Sequence, residues 1–101
     1  MTSAGLSNDQ LITNTVAIYP NPFSNTTNIE YYLNETARVN LNVYNSVGQK
    51  VATLVSQQQT AGKQTVLFDG NNLPQGIYNL KMEVSNKSNK FSEIRKIVLM
   101  K

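Results

Sequence analysis

Arg38-Val39-Asn40-Leu41-Asn42-Val43-Tyr44 is the stretch that decides the fold. Val39, Leu41 and Val43 alternate with Arg38, Asn40, Asn42 and Tyr44. A period of two sends successive side chains to opposite faces of an extended chain, so this is a half-buried strand. Asn45-Ser46-Val47-Gly48 follows as a hairpin connection, with Gly48 the natural residue for a positive φ. Asn34-Glu35-Thr36 makes the turn before it.

Working outward, the same pattern recurs. Thr26–Leu33 carries Ile29, Tyr31 and Leu33 on one face and Asn28, Glu30 and Tyr32 on the other. Ahead of it, Thr15–Tyr19 is stopped by Pro20-Asn21-Pro22, which cannot continue a ladder. On the other side, Gln49–Val55 is expected to set Val51, Thr53 and Val55 opposite Ala52 and Leu54. A polar loop from Ser56 to Gly62 leads to Lys63–Phe68, with Val66 and Phe68 inward. After the turn signal Asp69-Gly70-Asn71-Asn72, a strand from Ile77 to Val84 aligns Tyr78, Leu80, Met82 and Val84. Lys90–Met100 is the last. Seven short strands with regularly spaced turns predict an all-β fold, a seven-stranded antiparallel sandwich of immunoglobulin or fibronectin type III style.

Composition agrees. The chain has 101 residues, enough for one modest core. Charged residues are only 15%, and uncharged polar residues replace them, with 14 Asn and 9 Thr. That suits strands and turns better than long helices. Residues 1–14 are polar and without period and are expected to be a flexible linker or leader, with the folded domain spanning 15–101. No apolar run approaches the roughly 20 residues of a membrane span.

The chain has no histidine and no cysteine. Thiolate metal sites, cysteine nucleophiles and a histidine base are thereby excluded. The carboxylates fall singly, and Asp69-Gly70-Asn71-Asn72 has one carboxylate where calcium wants several oxygens. The reading is a non-enzymatic domain with no catalytic residue, no cofactor and no metal site. Net charge is +3 overall, but residues 81–101 alone carry +4. Alternating lysines are an ordinary protection for an edge strand. Nucleic acid is disfavoured as a partner, since no phosphate loop or helical reading element accompanies them.

Four stretches resemble a known family. They are Ile18-Tyr19-Pro20-Asn21-Pro22-Phe23 with Ile29-Glu30-Tyr31, then Val43–Val51, then Leu73-Pro74-Gln75-Gly76-Ile77-Tyr78, and finally Lys96-Ile97-Val98-Leu99-Met100-Lys101. In order and spacing they resemble the type IX secretion system C-terminal sorting domain (Por secretion tail, type A). Met100 departs mildly, standing where a β-branched residue is common. The resemblance implies a non-catalytic signal of exported Bacteroidetes-type proteins. Such a signal directs an upstream cargo from the periplasm across the outer membrane to the cell surface or medium. The implied partners are the outer-membrane type IX translocon and the cell-surface C-terminal signal peptidase that cleaves the signal.

Pro20, Asn21, Pro22, Gly48, Gly76, Tyr78, Lys96, Ile97, Val98, Leu99 and Lys101 are the candidate recognition residues, beside ordinary structural roles as strand stop, turn glycines and core. An exposed last strand is expected to offer its edge to a partner by strand addition. The alternative function is a stand-alone adhesive or carbohydrate-binding sandwich, for which Tyr32 and Tyr44 would form a sugar platform.

Overall fold

The alternation around Leu41 becomes a central strand with one dry face. In the computed structural model, which describes residues 11–101, Val39, Leu41 and Val43 are fully buried. Among the described residues the elements are β1 (Ile12–Tyr19), β2 (Thr26–Leu33), β3 (Ala37–Tyr44), β4 (Lys50–Gln59), β5 (Gly62–Asp69), β6 (Gly76–Ser85) and β7 (Lys90–Leu99). They form two antiparallel sheets, β1-β2-β5 and β4-β3-β6-β7. The chain crosses between them after β2, β4 and β5. This is an all-β sandwich, as the strand spacing predicts.

The inner faces meet as their patterns require. Ile29, Tyr31 and Leu33 of β2 and Phe68 of β5 pack toward Val39, Leu41 and Val43 of β3 and Tyr78, Leu80, Met82 and Val84 of β6. Burial of a side chain of this size stabilises by about 1.5–3 kcal/mol, which makes this shared layer the main favourable contribution. Buried polar groups have partners: Thr27 donates its hydroxyl to the Pro20 carbonyl at 2.6 Å. Tyr78 donates its own to the Pro74 carbonyl at 2.5 Å. The latter ties the start of β6 to the corner before it, the tyrosine corner of such sandwiches.

Three local expectations change. β1 begins at Ile12, and Leu11 and Ile12 are already buried, so the folded region starts ahead of Thr15. Residues 1–10, most of the expected leader, lie outside the described residues. The expected loop from Ser56 is instead strand as far as Gln59, held by regular pairing of Ala37–Leu41 with Gln59–Val55. In β4 the inward phase shifts: Thr53 faces solvent opposite Asn42, and Ala52 pairs with Val43 on the core side. Irregularities that skip Leu54 and Val51 insert two extra residues, and each reverses the alternation.

Tyr31 gives the core a pH limit. Burial pushes its phenol up to about 12, and the hydroxyl donates a hydrogen bond to Gln59 Oε1 at 2.6 Å. The folded chain favours the neutral phenol, so its stabilising contribution is whole below the unfolded value of about 10 and is lost as pH rises toward 12. Urea midpoints should therefore fall between pH 10 and 12, and Tyr31→Phe should flatten that fall.

Candidate recognition surface

In an antiparallel sandwich the ends of β1, β3, β5 and β7 lie at one pole. Each of the four motif stretches runs through that pole. The first is the strap Pro20–Phe23 after β1, the second the β3–β4 turn, the third the corner before β6, and the fourth the end of β7. The far pole carries Leu11, whose carbonyl accepts from Asn34 N, and a contact from Asn86 Nδ2 to Glu35.

The first and last motifs are physically one structure. Asn21 donates Nδ2 to the Lys96 carbonyl at 3.1 Å and accepts from Val98 N at 3.0 Å. Phe23 N then donates to the Val98 carbonyl at 2.9 Å, and Met100 N donates to the Phe23 carbonyl at 2.8 Å. Phe23 thus makes a parallel bridge to Leu99. Both peptide bonds preceding Pro20 and Pro22 are cis. The strap closes the outer edge of β7 from Lys96 to Met100. The expectation of an open last edge therefore fails over that half, because Asn21 and Phe23 already occupy its hydrogen-bonding groups.

Beneath the strap Phe23 is buried against Phe68, ring centroids 5.7 Å apart. Gly70 closes the same space. A Cβ there would lie 3.0 Å from Phe23 Cε2 and 3.1 Å from Leu99 Cδ2, so the residue is glycine for room. Lys101 completes this end: Nζ donates to the Asn71 carbonyl at 2.9 Å and its N–H to Gln75 Oε1 at 3.2 Å.

The middle motifs are shaped locally. Asn45 Oδ1 accepts from Val47 N at 3.1 Å and Gln49 N at 2.9 Å, winding the β3–β4 turn. Gly48 has φ of 91°, which a residue with a Cβ resists. The turn tip, with Val47 exposed, faces Leu73, Pro74 and Ile77 across a shallow groove.

Of the candidate residues, Pro20, Asn21, Pro22, Gly48, Lys96 and Lys101 are exposed, and Val98 and Gly76 are partly so. Tyr78, Ile97 and Leu99 are in the core, with their side chains out of a partner's reach. Phe23, Gly70, Asn71 and Gln75 belong to the same pole and are additions to that set. Phe23 sits inside the first motif, whereas Gly70 reads in sequence as a plain turn glycine.

The two tyrosines of the sugar-platform alternative are separated. Tyr32 stands on the outer face of β1-β2-β5, and Tyr44 on that of β4-β3-β6-β7. The former face has its own network, in which Lys63 Nζ lies 2.6 Å from Glu30 Oε2 and Tyr19 donates to Glu30 Oε1 at 3.2 Å. The lysine contact holds the Glu30 carboxyl below its usual range, and Glu30 in turn raises Lys63 and Tyr19. In the calcium-like turn, Asp69 Oδ1 accepts from Asn71 N at 2.9 Å, an ordinary turn contact.

A three-plus-four immunoglobulin-like arrangement with its sequence motifs gathered at one pole defines the class: an all-β sandwich domain. The chain belongs to the secretion system C-terminal sorting domain family of type IX secretion, whose pattern matches residues 17–100. No curated protein matches it.

Proposed function

We propose that this domain directs an upstream cargo across the outer membrane through the type IX translocon, and that the cell-surface C-terminal signal peptidase then cuts it away. The observation that carries this reading is the convergence of motifs from Ile18 to Lys101 on one pole of a chain that belongs to the sorting family. Leu11 enters the fold at the far pole, so an upstream cargo leaves the motif pole free. The signal is then a folded surface, consistent with passage through the periplasm before delivery to the cell surface or medium. Cleavage is proposed to fall in the stretch preceding β1.

Residues 1–101 fused after a periplasm-directed fluorescent protein, in a host with this secretion system, should reach the surface or medium. Periplasmic retention of that fusion overturns the reading. Deleting the last strand is a poor test, because it takes Ile97 and Leu99 out of the core and unfolds the domain.

A further inference from the structure

The two outer faces of the sandwich differ in charge. That of β1-β2-β5 carries Lys63 against Glu30 and Asp69, with the lysine paired to Glu30. That of β4-β3-β6-β7 carries Arg38, Lys50, Lys81, Lys90 and Lys96 against Glu83 alone. Glu83 lies on the half away from the motif pole and only 3.9 Å from Lys81, both side chains largely in water, a pair of little strength.

Cross-strand pairing assembles the half near the motif pole. Lys50, Tyr44, Asn79 and Lys96 form one row. Lys81 and Ile94 lie in the next row toward the far pole. Ile77 pairs with Val98 at the motif end. Ile77 is 48% and Ile94 63% exposed, and no carboxylate stands among them. Lysines without a strong ion-pair partner, interleaved with exposed isoleucines on one sheet face, form a surface suited to a partner.

We infer that this half-face, with Lys50, Lys81 and Lys96 around Ile77 and Ile94, is the docking surface for an apolar protein surface rimmed by carboxylates. The inference rests on the sorting reading and names its partner's chemistry. Charge complementarity selects an acidic partner. Geometry selects protein over lipid: an element that lies in a membrane sinks its apolar side about 5–10 Å below the headgroups. Ile77 and Ile94 stand in separate rows of the face with the Asn79–Lys96 row between them, so they offer two isolated apolar side chains and no continuous apolar side to sink into a bilayer. With the edge of β7 closed from Lys96 to Met100, side chains on this face, and not strand addition at that edge, make the contact.

The fluorescent-protein fusion tests it with two charge reversals. One is Lys50→Glu with Lys81→Glu and Lys96→Glu; the other, a control on the far half, is Arg38→Glu with Lys87→Glu and Lys90→Glu. The first should reduce surface delivery by about tenfold or more, and the control should deliver like the unaltered fusion. Ile77→Ser with Ile94→Ser should fail as the first does, while the urea midpoint of each purified domain verifies folding. Equal delivery by the first reversal, or equal loss in both, overturns the proposal. So does lysine-dependent flotation of the purified domain with phosphatidylcholine–phosphatidylglycerol vesicles, which would put lipid in the partner's place. If the unaltered fusion is itself retained, the sorting reading fails instead.

Discussion

Phe23→Ala is expected to destabilise the domain by about 3–5 kcal/mol, the usual cost of emptying a buried phenylalanine site. The ring is 3% exposed and packed on Phe68, with Gly70 and Leu99 close by. These neighbours come from β5, the β5–β6 turn and β7. They are fixed by separate strands, so they cannot collapse readily into the space. For a domain of this size the loss corresponds to a fall in Tm on the order of 20 °C. A second substitution checks the packing directly. Gly70→Ala alone should be destabilising, because its Cβ meets the Phe23 ring at 3.0 Å. In the Phe23→Ala background most of that penalty should vanish, leaving the Leu99 contact. Thermal unfolding of the two single variants and the double variant measures the coupling. Additive effects would mean that the ring does not fill the space in front of Gly70.

The contrast between what was legible and what was not follows from the range of the interactions. The inward faces of β2, β3, β5 and β6 were readable because each repeats a two-residue period without interruption. β4 misled because its period is reset twice, and an inserted residue leaves no mark in a composition of Val, Ala, Thr and Leu. Its polar end, Ser56–Gln59, has no buried alternation of its own and is a strand only because β3 supplies the partner. β1 starts earlier than its alternation suggests, because an irregularity between Thr13 and Ala17 breaks the pattern. The motif stretches were legible one by one through their family resemblance. Their meeting was not, since Asn21 and Lys96 are 75 positions apart and nothing local in either stretch announces the other. The same blindness made the end of β7 look like an open edge and Gly70 like a simple turn.

Asn21 offers the sharpest test of that meeting. Pro20 and Pro22 have no backbone N–H, so the strap cannot pair with β7 as an ordinary strand. An asparagine amide carries one carbonyl and one N–H pair of donors, the groups of a peptide unit, and here it takes the place of one. It engages Lys96 O and Val98 N, which would otherwise face water. Because water can replace both bonds at this exposed edge, Asn21→Ala should cost no more than about 1 kcal/mol in global stability. Local protection should respond far more: exchange of the Val98 amide should accelerate by about tenfold or more, while amides in the middle of β3 and β6 keep their rates. Asn21→Asp separates the two bonds. Its carboxylate still accepts from Val98 N but confronts the Lys96 carbonyl with a second acceptor. Val98 should then stay protected while the strap loosens at Lys96, detectable as a shift of the Lys96 carbonyl resonance. Unchanged exchange at Val98 in Asn21→Ala would show that the edge is held by Phe23 alone, and that this asparagine stops the first strand without closing the last.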